Sequence, residues 1–280
     1  GNAVSYSWNN GILDGVLFQS VITQDYILSG TDLNNCNNQD TVTINNLSLP
    51  IIDAGQDETI CIGDSVQLLV TGANNYLWTP NNDINDNTIS NPSAYPTILT
   101  EYIVTGTDLN NCSNKDTINI NVNTLPILTT SNDSVICDGD TIQIEVFGAS
   151  TFNWLTTNNI SDTNLSNPQV WPTSTTTYKV LASDANTCSD TAEVTIIVNP
   201  KPNINAGMDQ NVCFGDSTLL SASGSSVSYS WNNGITDGIL FEAITTLDYI
   251  VVGTDMNNCT NQDTLTVNIL SLPIIDAGQD

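Results

Sequence analysis

The chain has 280 residues, 39% of them hydrophobic, and a formal net charge of −27, with 30 acids against three lysines (Lys115, Lys179, Lys201) and no arginine or histidine. Phosphate recognition needs clustered Lys and Arg, so nucleic acid and anionic membrane surfaces are poor partners, and divalent cations are the natural counterions. Without histidine there is no His-based triad, His–metal site or His proton shuttle, so any enzyme chemistry would rest on carboxylates.

Residues 1–49 open on SYSWNNG, read as the Trp8 strand of a small unit, with Phe18 and Tyr26 further on. The first two strands of that unit are missing. Residues 50–125 are the first whole unit. PIIDAGQDETIC is extended, and IGDS turns on Gly63 and Asp64. SVQLLV alternates, placing Val66, Leu68 and Val70 on one face of a half-buried strand. YLW is a strand with Trp78 in the core. PNNDINDNTISNPSAYP is a loop with at most short edge strands. TEYIVTGTD alternates through Tyr102 and Val104. LNNCSN turns, and DTININV alternates through Ile118, Ile120 and Val122.

Residues 126–200 repeat this pattern with Trp154 and Tyr178, and residues 201–271 with Trp231 and Tyr249. The last of these carries a shorter middle segment, NNGITDGILFEAITTLDY, whose pattern residues 1–49 share. Residues 272–280 read as the first strand of a following domain. The marker prolines Pro50, Pro126, Pro202 and Pro273 lie 76, 76 and 71 residues apart. Residues 1–57 align without gaps to 224–280 and are identical at about 41 of 57 positions. One period of 223 residues plus an overlap is expected of a piece cut from a longer repetitive protein. No stretch has helical periodicity, and none is long and apolar enough to span a membrane. Short strands between Gly/Asn/Asp turns predict an all-β chain of tandem sandwich domains.

The segments CIGDSVQL, NYLWTP, NPSAYPTILTEYIVTGTD and NNCSNKDT resemble the PKD-like/immunoglobulin-like tandem repeats of very large Bacteroidetes surface proteins. Those include gliding-motility-associated adhesins exported by the type IX system. The resemblance covers the whole chain. It implies tandem immunoglobulin-like/PKD-like β-sandwiches forming an elongated rod, at the cell surface. It also implies O-glycosylation at Asp-Ser/Thr steps, with acceptors Thr41, Ser65, Thr117, Ser134, Thr141, Thr191, Ser217 and Thr264. The alternative at these positions is that Asp ends a turn and Ser/Thr opens a strand.

Seven cysteines recur at regular positions without a CxxC, which points to disulfides and an oxidising compartment rather than zinc or thioredoxin-like chemistry. In such a sandwich Cys61 ends the first strand at the far pole, and Cys112 follows the sixth strand at the near pole. An eight-residue strand spans about 26 Å, whereas a disulfide needs Cα atoms within about 7 Å. Inter-domain pairs Cys61–Cys188 and Cys137–Cys259 are therefore expected. Cys36 and Cys112 would then pair with upstream domains and Cys213 with a downstream one. Intradomain pairs (Cys61–Cys112, Cys137–Cys188, Cys213–Cys259) are the alternative.

Asp108, Asn110 and Asp116 recur as Asp255, Asn257 and Asp263, and partly as Asp184, Asn186 and Asp190. Asp53 and Asp57 lie in the segment entering a domain. Calcium takes six to eight oxygens and is the one cofactor this pattern suggests. The alternative is that Asn and Asp simply make turns. Every acid-rich turn is copied from unit to unit, so no unique carboxylate pair marks a hydrolase, and the chain reads as non-enzymatic. The expected function is a structural repeat segment of an extracellular filamentous surface protein or adhesin, acting as a stiff spacer or filament body. Its partners would be neighbouring repeats of the same chain. An array of carbohydrate- or protein-binding modules, using the NPxxxP loops at 91–96 and 167–172, is the competing expectation. A subunit of a multi-chain fibre, assembled laterally or end to end through exposed edge strands, is a third.

Overall fold

The computed structural model describes residues 2–276. The fold is all-β. Among the described residues the only helical turns are two three-residue 3-10 turns, Asn9–Gly11 and Asn232–Gly234. The chain forms two compact units, Gly1–Thr124 and Leu125–Asp280.

In the Pro50 repeat four strands make one sheet. Glu58–Cys61 lies parallel to Ser113–Asn123, which pairs antiparallel with Thr100–Thr107, and that pairs with Asn75–Thr79. Val66–Gln67 and Ser93–Ala94 form the opposing sheet, joined by a bridge from Asp53 to Thr71. PIIDAGQDETIC, expected as one extended segment, therefore divides between the two sheets. Asp53 serves one sheet and Glu58–Cys61 the other, with Gly55 at φ 85° between them.

The alternation read in the sequence is the alternation that is buried. Leu68 and Val70 face the core while Leu69 is exposed, and Trp78, Tyr102, Val104, Ile118 and Ile120 complete that core. The two repeats of the second unit build the same sandwich. Ser134–Cys137 runs parallel to the end of Ser189–Asn199, and Gln210–Cys213 parallel to the end of Thr260–Leu270. Trp154 with Tyr178, and Trp231 with Tyr249, sit at their centres.

A glycine fixes one corner of each sandwich. Gly72, Gly148 and Gly224 have φ of 101°, 103° and 140°, and a Cβ there would lie 1.7, 2.0 and 2.0 Å from the carbonyl oxygens of Ile51, Ile127 and Asn203. Only glycine allows that approach.

Residues 1–49 form a three-stranded antiparallel sheet of Ser5–Trp8, Gln24–Thr31 and Asn37–Ile44. No second sheet faces it among the described residues of that segment. At the other end, residues 272–276 carry no strand, and residues 277–280 lie outside the described residues.

Candidate functional site: a stapled junction between sandwiches

Each repeat presents cysteine at both poles. One cysteine ends the strand that pairs in parallel with the last strand: Cys61 lies opposite Asn123, Cys137 opposite Asn199 and Cys213 opposite Leu270. A tight turn follows, closed by the N–H of Asp64, Asp140 or Asp216 donating to the cysteine carbonyl at 3.0 Å in each case.

The other cysteine sits in the turn before the last strand, held by an aspartate side chain. Asp108 Oδ1 accepts the N–H groups of Asn110 (2.8 Å) and Cys112 (2.9 Å). Asp32 serves Cys36, Asp184 serves Cys188 and Asp255 serves Cys259 in the same way, at 2.9, 3.0 and 2.8 Å. The residue before each cysteine (Asn35, Asn111, Thr187, Asn258) has positive φ. Asn tolerates that conformation readily, which accounts for its recurrence there.

The two cysteines of a repeat lie at opposite ends of an 11-residue strand, about 36 Å apart at about 3.3 Å per residue. No disulfide closes that gap. A disulfide joins Cys137 to Cys259 instead, with Cα atoms 5.6 Å apart and a sequence separation of 122. It links the exit pole of the Pro126 repeat to the entry pole of the Pro202 repeat. It also overturns the intradomain alternatives Cys137–Cys188 and Cys213–Cys259. Cys61 and Cys188 are disulfide-bonded as well. Cys36, Cys112 and Cys213 are free.

Cys259 is buried and Cys137 half-buried. A groove of about 500 Å³ beside them is lined by residues that include Val135, Ile136, Asp140, Asn199, Asn257 and Asn258. Lys201 Nζ lies 3.3 Å from where a Cβ on Gly139 would be, and Asn261 Nδ2 donates to the Pro202 carbonyl at 2.9 Å.

The carboxylates proposed for calcium are engaged by backbone. Asp108 and Asp255 cap turns, as above. Asp116 Oδ2 accepts the N–H of Ala54, and Asp263 Oδ2 that of Ala206, both at 2.8 Å. Asp190 accepts from Thr191, and Asp53 from Gly55. Asp263 is held below the usual carboxylate range by the Ala206 N–H and then the Thr264 N–H. Asn110 and Asn257 are exposed in their turns. Among the described residues no group of three or more acidic or cysteine side chains is placed to hold a metal.

The glycan acceptors fall into two groups and one outlier. Ser65, Thr141 and Ser217 are exposed just past the strand-end cysteines. Thr41, Thr117, Thr191 and Thr264 are exposed on the last strand of each repeat. Ser134 is half-buried and donates to the Asn132 carbonyl.

Sequence reasoning named Asp57 only as a candidate calcium ligand and did not single out its counterparts Asp133 and Asp209. Asp57, Asp133 and Asp209 each accept a backbone N–H from the middle of the last strand, from Asn119, Thr195 and Thr266 at 2.9, 2.7 and 2.8 Å. Their 76-residue recurrence is visible in the sequence, although their partners are not.

No protein-family model and no curated protein matches the sequence. Solved structures that it resembles include tandem Ig and cadherin domains. An I-band fragment from titin is 10% identical, with a TM-score of 0.40 over 80% of this chain and 100% of that one. The N-terminal eight Ig domains of the Down syndrome cell adhesion molecule are 11% identical, with a TM-score of 0.30 over 89% and 44%. A fragment of mouse cadherin-23 is 12% identical, with a TM-score of 0.28 over 80% and 99%. At these values the likeness is one of fold class.

Proposed function

We propose that this chain is a structural repeat segment of an extracellular, filamentous surface protein, working as a stiff spacer or filament body. The observation that carries this reading is the Cys137–Cys259 bond between two successive sandwiches. A covalent link between domains restrains bending at the junction, and disulfides persist in oxidising compartments. By the same rule, strand-end cysteine to turn cysteine of the next repeat, Cys61 pairs with Cys188, while Cys36, Cys112 and Cys213 pair with cysteines of further repeats. The acidic surface keeps adjacent filaments apart. A bacterial surface origin of the Bacteroidetes type, and sugar on the exposed Asp-Ser/Thr sites, belong to the same reading.

Non-reducing peptide mass mapping of native material tests it. Linked peptides carrying Cys61 with Cys188 and Cys137 with Cys259 are expected. Cysteines paired within one repeat would overturn it. Hexose-bearing peptides at Ser65 or Thr117 would support the glycan assignment.

A second reading is favoured by one observation. Tyr95 and Trp171 occupy the same place in the two NPxxxP loops and are 47% and 41% exposed. Their N–H groups donate to the carbonyls of Asp83 and Asn159 at 2.8 and 3.0 Å, which pins each aromatic outward. Held this way, they suit stacking against a sugar ring. Retention on neutral glycan columns that is lost in Tyr95→Ala/Trp171→Ala would favour a binding array.

A further inference from the structure

We propose that the Cys137–Cys259 bond makes the second unit a taut covalent line that does not lengthen under tension, and that reducing the bond makes the same unit extensible. The inference rests on the spacer reading and concerns how such a spacer carries load.

The chain enters the Pro126 repeat at one pole. It crosses to the other through two pieces of extended strand, Thr129–Thr130 and Ser134–Cys137. Cys137 pairs with Asn199, the last residue of strand Ser189–Asn199, so it lies at the exit pole. Across the bond, Cys259 immediately precedes Thr260–Leu270. That strand crosses the next sandwich in one pass of 11 residues, about 36 Å at about 3.3 Å per residue. Leu270 lies opposite Cys213, again at the exit pole.

A pull on the two ends of the unit therefore follows the first strand of one sandwich, the disulfide, and the last strand of the next. Both crossings are already largely extended, with only the short jog at residues 131–133 between sheets in reserve. The residues between the two cysteines include Trp154, Tyr178, Trp231 and Tyr249, the centres of both cores, and they form a closed loop outside the line of load.

Reduction by a dithiol opens that loop. A reagent thiolate attacks one sulfur, the S–S bond breaks, and the mixed disulfide is resolved as the reagent closes its own ring. The protein gains two thiols, while the reagent loses two electrons and two protons. Cys137 is half-buried and Cys259 buried, so attack is expected at the Cys137 sulfur. Load then runs through every strand, and each sandwich can unravel.

The test is single-molecule stretching of the full chain held at its ends, with Cys36, Cys61, Cys112, Cys188 and Cys213 changed to serine. Circular dichroism checks the fold, and non-reducing peptide mapping checks the remaining bond. The oxidised protein is expected to lengthen only as residues 1–49 and the Pro50 repeat unravel, and then to form a rigid line. The reduced protein, and the same chain with Cys259→Ser, are expected to show two further steps. Together these release about 400 Å, the length of the 122-residue separation at about 3.3–3.6 Å per residue.

Lengthening of the oxidised protein by tens of ångströms beyond what residues 1–124 can release, with the bond mapped as intact, would overturn the load line and leave the spacer reading standing. So would reduction that adds no steps. A map without the Cys137–Cys259 bond would overturn the stapled spacer itself. If the serine chain does not fold, the natural chain gives the comparison, and its full extension must rise by at least about 400 Å on reduction.

Discussion

Residues 1–49 and their copy at 224–272 build the same sheet in the same register. Trp8 pairs with Leu28 as Trp231 pairs with Val251, and Tyr26 with Val42 as Tyr249 with Leu265. Burial separates the two. Val42 is 46% exposed and Leu265 2%, while Trp8 and Ile44 are half-buried where Trp231 and Val267 are buried. The difference comes from Ile204, Ala206 and Leu220, which the copy receives from its own first strands. Tyr26 and Tyr249 are buried alike because each lies under a local phenylalanine, with ring centroids 5.0 and 5.3 Å apart. Pairing and turns are thus local properties of this sequence, and closing the core is not.

The largest expected effect tests that division through the disulfide. Removing a cross-link with a sequence separation of 122 costs about 5 kcal/mol in the chain-entropy account. Reduction should therefore lower protection in Thr176–Ser183 and Leu247–Thr254, read segment by segment by hydrogen exchange. Protection in Gln24–Thr31 should not move, since Cys36 is free. An equal loss there would break the comparison.

Next in size is the tryptophan pair. Trp231→Ala opens a cavity in a closed core and should cost about 3–5 kcal/mol. Trp8→Ala, at a half-buried site, should cost less than half as much. The same exchange experiment on Leu247–Thr254 and Gln24–Thr31 reads both. Equal costs would mean that the N-terminal sheet has a core of its own.

Much of this was legible in the sequence, for a physical reason. Strands such as Thr100–Thr107 announce themselves by alternation, and once strand order is known the poles of Cys137 and Cys259 follow. The break inside PIIDAGQDETIC was not legible, because both halves are extended and only Gly55 marks the change of sheet. The aspartates were legible as recurring residues but not as roles. Asp108 caps its own turn, two and four residues on, whereas Asp57 reaches across 62 residues to Asn119, and composition does not separate the two. The outward turn of Trp171 was not legible, since nothing in NPQVWP says that Val170 is buried and its neighbour is not.

The turn caps should show no difference between the two regions. Asp32 and Asp255 accept the same pair of N–H groups at 2.8–2.9 and 2.8 Å. Alanine at either position should cost roughly 1 kcal/mol. A cap that mattered only in the closed repeat would show that its turn is held by packing and not by its own hydrogen bonds.

The smallest effect is the sharpest. Asp263 and Asp40 are equivalent by the 223-residue offset. Asp263 accepts the N–H of Ala206 from the first strand, while Asp40 accepts that of Thr41, its own neighbour, and residues 2–49 contain no counterpart of Ala206. The Ala206 N–H is the first cause of the lowered Asp263 pKa. A group lowered in the folded state favours folding fully above its ordinary pKa, about 4 for a carboxylate. That contribution is lost as pH falls through the lower folded value, because the unfolded chain then binds the extra proton. Asp263→Asn should therefore flatten the acid limb of the second unit's stability, measured as melting temperature against pH. If the limb keeps its slope, the first strand's contribution to the closed repeat is packing alone.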